Sequence, residues 1–299
     1  MIIDAHAHVY EYVKPYGPLG EGRAIGGGMV RWPDGTETRF IPENMGEYGF
    51  SAETLLEQMF LAGVDQAVLL QAQNYGYHND YIAEVIRKYP GKFTGCTIFD
   101  PYARKAMDIL RYCTEVYRFK IVKFELSENW GLTGIHPDLR LDLPLMEPFF
   151  EYAQKKELII VIDTGERGTA AWQVEPIVNV MKKFPSLRFV LAHALFPYND
   201  GFNSTRLDML SQIAGKNCWF DISSTLDLLE PYPFRSNQPF LRSLTDLAGP
   251  EKIMWGSDLP GSIRKHAYTE LKNALTENGL FGDDELTLIM GENARKLYF

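Results

Sequence analysis

A (β/α)8 TIM barrel, one domain over residues 1–299 with a long insertion after its first strand, is the fold class this sequence predicts. Three observations carry the prediction. Eight short apolar runs of strand length alternate with segments of helix length at spacings of about 30 to 40 residues. The runs are apolar nearly throughout, as parallel strands buried on both faces are. No Gly-x-Gly-x-x-Gly follows the first run, as a doubly wound nucleotide-binding sheet would require.

The first run, Met1 to Val9, passes directly into His6-Ala7-His8. In a strand, residues two apart share a face, so both imidazoles can reach one metal ion. Residues 10–50 are rich in Gly, Pro and charge, and this length without regular pattern favours a lid-like insertion. Within it, Pro33-Asp34-Gly35 between Arg31-Trp32 and Thr36–Phe40 is a hairpin turn signal. Ser51 then caps a helix whose apolar face is Leu55, Leu56, Met59 and Phe60, ended by Gly63. The alternation continues with strands at 66–70, 93–99, 120–126, 158–163, 188–193, 218–223 and 252–257. Helices are expected at 79–89, 103–117, 145–156, 174–184, 203–214, 239–248, 266–277 and 283–290.

Composition narrows the function classes. With 45% hydrophobic and 23% charged residues the chain is ordinary globular protein. A net charge of −9 without a Lys/Arg block argues against a nucleic-acid partner. No apolar run reaches membrane-spanning length. Three cysteines (Cys96, Cys113, Cys218), with neither CxxC nor zinc-finger spacing, fit a reducing compartment, so a cytoplasmic enzyme is expected. The partner expected is a small-molecule substrate, with a homodimer possible through the aromatics of residues 10–50.

In such a barrel the site lies where the strands end. Those ends carry His6 and His8, Gln71 and Gln73, Asp100, Lys123 and Glu125, Asp163, His193, Asp221 with Ser223 and Ser224, and Asp258. Taken singly, each has a structural reading. Asp258 also suits a turn cap, His193 a core histidine, Lys123 with Glu125 a buried ion pair, and Asp163-Thr164-Gly165 a turn. Taken together, imidazoles and carboxylates converging in one cleft are what a divalent metal requires. His136 and His266 read as surface residues, and His78 lies in a loop facing either substrate or solvent.

With these residues in view, the chain resembles the amidohydrolase superfamily, in its amidohydrolase-related branch, which includes aminocarboxymuconate-semialdehyde decarboxylase-type enzymes. The matching stretches are Ile3-Asp4-Ala5-His6-Ala7-His8, Val190-Leu191-Ala192-His193, Ile253-Met254-Trp255-Gly256-Ser257-Asp258-Leu259-Pro260, and the ending 289–297. The resemblance implies metal ligation by His6, His8 and Asp258, with His193 beside a metal-bound water. Where that family usually has histidine on the fifth strand, this chain has Asp163, which as a fourth ligand makes a harder, more anionic site. One divalent ion is expected, zinc first, with Mn²⁺ or Fe²⁺ also suited, and no organic cofactor. Asp258 and His193 are the catalytic pair expected. Lys123, Glu125, Arg167 and Tyr77 are expected at the substrate, with Trp32 and Phe40 beside Tyr77 as cover. The reaction expected is hydrolysis of an amide, lactone or similar bond in a small carboxylate-bearing substrate. Two alternatives share the site: non-oxidative decarboxylation of an aromatic or semialdehyde acid, and a metal-independent lactonase or isomerase.

Overall fold

The first apolar run folds as β1 (Ile3–Ala7), and its residues are buried on both faces. The computed structural model describes residues 1–196, 201–226, 230–264 and 266–299. The insertion follows, as β2 (Tyr16–Gly17) with β3 (Gly20–Glu21), then β4 (Arg23–Gly26), β5 (Met29–Arg31) and β6 (Glu37–Arg39). β4, β5 and β6 form an antiparallel sheet, and the Pro33-Asp34-Gly35 turn joins β5 to β6 as its sequence predicts. Tyr10 and Phe50 pair across the base of the insertion, so it leaves and rejoins the barrel at one point. Trp32 and Phe40 are buried beneath it rather than displayed to solvent.

The remaining barrel strands are β7 (Gln66–Leu69), β8 (Phe93–Thr97), β9 (Ile121–Glu125), β10 (Ile159–Asp163), β11 (Arg188–Leu191), β12 (Cys218–Asp221) and β13 (Ile253–Met254). They pair in parallel in chain order. The sheet closes on itself where the segment after β13 meets β1. Ala5 N–H donates to the Trp255 carbonyl at 3.0 Å, and Asp258 N–H to the His6 carbonyl at 2.8 Å. Intervening helices include α1 (Ala52–Ala62), which starts on Ser51 Oγ accepting from Thr54 N–H and stops at Gly63 with φ +68°.

Period-two alternation sorts the strand residues into two layers. Ile3, Ala5, Val68, Leu70, Ile121, Val161 and Val190 fill the barrel interior. Ala7, Leu69, Val122, Phe124, Ile160, Ile162 and Leu191 pack outward under the helices. β1 changes parity midway: Ile3 and Ala5 face inward, yet Ala7 faces the helices. The β1–β7 register shifts between Asp4 and Ala7. A bulge of this kind turns His6 and His8 to the inward face that Ile3 and Ala5 occupy lower down.

Three elements differ from expectation. β13 is two residues long, because Trp255 N–H is taken by the Ile289 carbonyl and Ser257 by Asp4. β11 stops at Leu191, and His193 to Phe196 run with positive φ instead of extending the strand. The last expected helix ends at Thr287, and the chain continues through a wider turn (Leu288–Glu292) into Asn293–Tyr298. Ala294, Leu297 and Tyr298 of that terminal helix close the floor of the barrel interior. Among the described residues, no helix is long and apolar enough to cross a membrane.

Candidate active site

The polar strand ends meet at one mouth, above the apolar interior. His6 is fully buried, and its Nδ1 lies 2.5 Å from Asp221 Oδ2. That contact places the ring proton on Nδ1 and leaves the Nε2 lone pair facing Lys123 and Asp258. Nε2 lies 3.2 Å from Lys123 Nζ and 3.9 Å from Asp258 Oδ1. His193 Nδ1 is 2.8 Å from the Ser223 carbonyl, and its Nε2 is 3.3 Å from Asp163 Oδ2. The left-handed turn after β11 lets this ring stack on His6 with centroids 4.9 Å apart. Donor atoms of His6, His193 and Asp258 all lie within 4.8 Å of one another.

Asp258 joins the two halves of the centre. Its Oδ1 is 3.0 Å from His8 Nε2, while Oδ2 accepts from Ser224 Oγ at 2.6 Å. Burial opposes ionisation, but the His8 contact and the charge on His193 outweigh it, so this carboxyl stays well below the usual range. Burial pushes His8 down to about 3, so it is neutral, and its buried Nδ1 has no hydrogen-bond partner among the described residues.

Around Lys123 the charges are interlocked. Its ammonium lies 3.0 Å from Asp163 Oδ2 and 4.0 Å from Glu125 Oε2. Burial works against that cation, yet the Asp163 charge at 3.0 Å holds its pKa above the usual lysine value. Burial raises Glu125 well above the carboxylate range, with the Asp163 charge adding to it, so Glu125 holds a proton. Asp163 stays ionised despite burial, through His193 and Lys123. His193 in turn is raised to about 10, the Asp163 charge overcoming burial.

A cavity of about 310 Å³ opens over these groups, with Lys123, Glu125, Asp163, His193, Asp258 and His8 in its floor and Trp130 and Tyr75 in its wall. The structure thus brings together His6, His8, Asp163, His193, Asp258, Lys123 and Glu125. It does not bring Arg167 or Tyr77 to this cavity. The Arg167 guanidinium lies 4.0 Å over the Phe202 ring, and Tyr77 is 46% exposed. Lys123, expected to hold a substrate carboxylate, already faces Asp163. His136, expected at the surface, is half buried, with Nε2 2.9 Å from Asp100 and its ring stacked on Tyr102. His266, also expected there, lies edge-on to Phe234.

Other contributors carried no readable role. Asp4 is fully buried and accepts from His6 N–H, from Ser257 N–H and Oγ, and from the Tyr268 hydroxyl. It therefore ties the histidine strand to the Asp258 loop. Gly256 has a similar part, since a Cβ there would stand 2.8 Å from His6 Cβ and 2.9 Å from His6 N. Asp4 lies two residues before His6, which is the only hint the sequence offers. Tyr75 and Trp130 come from loops whose approach no local pattern encodes.

An eight-stranded parallel barrel with histidines and carboxylates gathered at its strand ends defines a barrel enzyme. The amidohydrolase family model matches residues 3–299, and the chain belongs to that family. Similar folds occur in a Burkholderia multivorans amidohydrolase with bound zinc, at TM-score 0.73 and 15% identity over 100% of this chain and 99% of that one. A probable 2-pyrone-4,6-dicarboxylic acid hydrolase from Acinetobacter baumannii, with citric acid bound, gives TM-score 0.70 and 16% identity over 99% and 98%. The 5-carboxyvanillate decarboxylase of Sphingomonas paucimobilis gives 0.58 and 18% over 81% of each chain. No curated protein matches the chain.

Proposed function

We propose that this enzyme is a metal-dependent hydrolase that cleaves an ester, lactone or amide bond in a small carboxylate-bearing substrate. The observation that carries the reading is the convergence of His6, His193 and Asp258 donor atoms within 4.8 Å, with His193 and Asp258 lining the cavity. Two imidazoles and a carboxylate suit Zn²⁺, and also Mn²⁺ or Fe²⁺, once His193, held protonated by Asp163, gives up a ring proton. His6 fits the role because Asp221 fixes its proton on the far nitrogen. His6, His193 and Asp258 would hold the ion, with His8 and Asp163 beside them at 3.0 Å from Asp258 and 3.3 Å from His193. Once bound, the ion supplies Lewis acidity that brings a water's pKa toward neutrality.

The chain's own groups supply the rest. Asp258 is ionised and receives the proton of the attacking water, with Ser224 steadying its Oδ2. Lys123 places a positive charge on the cavity floor, where a tetrahedral oxyanion is stabilised most in a water-poor site. Trp130 and Tyr75 cover the apolar part of the substrate. Purified enzyme is expected to bind one equivalent of zinc by elemental analysis and to lose turnover in Asp258→Asn. Finding no stoichiometric metal and full turnover in Asp258→Asn would remove the reading.

One observation favours a second reading, hydrolysis without metal. Lys123 Nζ stands 3.2 Å from the lone pair of His6 Nε2 and satisfies it. Full activity after exhaustive chelation selects this reading over the first.

A further inference from the structure

A second chamber of about 270 Å³ opens beside the catalytic one. The two share Asn74, Tyr75, Trp130 and Asp258, so they are lobes of one cleft. The second lobe is walled by Phe40 from the insertion and by Tyr75 and Trp130 from the barrel loops. Phe40 stands edge-on to both, 5.6 Å from Trp130 and 6.1 Å from Tyr75. Flat apolar walls of this kind accept a ring. Arg264 stands in the same lobe.

Among the described residues, the Arg264 guanidinium is held in place by backbone alone. Its Nε donates to the Gly261 carbonyl at 3.0 Å and its Nη1 to the Arg39 carbonyl at 2.9 Å. Among the described residues no carboxylate pairs with it, and its Nη2 has no hydrogen bond. A fixed guanidinium with an unused edge is suited to a carboxylate. Of the other cations that line the cleft, Lys123 and His193 are paired with Asp163, and Arg39 turns its Nη1 back to the Gly27 carbonyl at 2.7 Å. The outer wall of the catalytic lobe carries Glu128 and Glu166, which repel an anion.

We propose that Arg264 is the specificity-determining residue for an anionic substituent, and that the substrate is a cyclic acid lying across both lobes. Its scissile carbonyl reaches Asp258, and its free carboxylate lies in the aromatic lobe against Arg264. The insertion then has a defined part: β6 supplies Phe40 to the wall and the Arg39 carbonyl that aims the guanidinium. The proposal rests on the hydrolase reading for the position of the scissile bond, but not for the anion site itself.

Calorimetric titration of the full chain with two unreactive probes, isophthalate and its neutral diamide, tests it with and without chelator. Wild type is expected to bind isophthalate about 10-fold or more tightly than the diamide, roughly the value of one charge-assisted bidentate contact. Arg264→Gln is expected to abolish that preference while leaving diamide binding unchanged, and Arg264→Lys to restore part of it. Arg264 is exposed and tied only to backbone carbonyls, so a thermal melt matching wild type is expected for both variants. Equal binding of the two probes by wild type overturns the proposal. So does a preference that survives Arg264→Gln, or one that disappears on chelation. Neither probe has a bond to hydrolyse, so a failure of the hydrolase reading leaves this result standing, and the reverse also holds.

Discussion

Replacing Lys123 by methionine separates the electrostatic roles at the cavity floor. Methionine fills much of the same volume without the charge, so the perturbation is chiefly electrostatic. The ammonium lies 3.0 Å from Asp163 Oδ2, a Coulomb attraction of roughly 5–6 kcal/mol at an effective dielectric near 20. Glu125 adds little, because it is protonated. Part of that attraction offsets the cost of burying the lysine. Removing one partner of a buried pair still leaves an uncompensated carboxylate, so metal-free stability is expected to fall by about 3–5 kcal/mol. Metal affinity is expected to move the other way. The ammonium stands 3.2 Å from His6 Nε2, where it both occupies the ligand lone pair and repels a dication. Lys123→Met should therefore bind Zn²⁺ at least about 10-fold more tightly than wild type, equivalent to about 1.4 kcal/mol or more. Urea unfolding with and without Zn²⁺, together with a competition titration against a chelating dye, measures both effects. The reasoning is refuted if metal-free stability is unchanged within about 1 kcal/mol, or if zinc binding weakens.

Other outcomes follow from the same contacts. Asp258→Asn is expected to lower turnover on the order of 10²–10⁴-fold with the fold intact, as read by steady-state kinetics beside circular dichroism. Asp221→Asn keeps the contact to His6 but loses the charge that fixes its tautomer, so metal affinity should drop about 10- to 100-fold; an unchanged zinc titration counts against it. Gly256→Ala forces a Cβ to within 2.9 Å of the His6 backbone nitrogen, so it should displace His6 and cost activity and stability together; wild-type kinetics would show that the loop yields freely. Burial, outweighing the hydrogen bonds from Ser257, Tyr268 and His6, raises Asp4 to about 6 from an ordinary value of 3.8. The folded state therefore keeps a proton that the unfolded chain has released, and stability present below about pH 4 is lost as pH rises to about 6. Asp4→Asn should flatten that slope in a pH series of urea midpoints, and an identical slope in both proteins would contradict it.

The barrel was legible because its signal is local and repeated. Each strand is an apolar run that only a two-sided burial explains, and α1 is bounded by Ser51 and Gly63, which fix backbone geometry in place. The strand ends were legible for the same reason, since a polar residue closing an apolar run must lie at the barrel mouth. What the runs do not encode is where a strand stops being straight. β11 ends two residues early, and the left-handed turn through His193 stacks that ring on His6. Nothing in Leu191-Ala192-His193 forecasts the turn, because its cause is packing with residues far along the chain.

The sequence by itself determined the barrel class, the family and the inventory of ionisable groups at its mouth. Tertiary structure alone decided how those groups divide the work. The bulge between Asp4 and Ala7 chose the face on which His6 and His8 lie. Lys123, in the cavity floor, paired with Asp163, and Arg264, with no motif to mark it, took a wall of the adjoining lobe. Pairing between charges depends on distances of 3 to 4 Å across strands over 30 residues apart in sequence, and a Coulomb term that steep is set by three-dimensional placement, not by order along the chain.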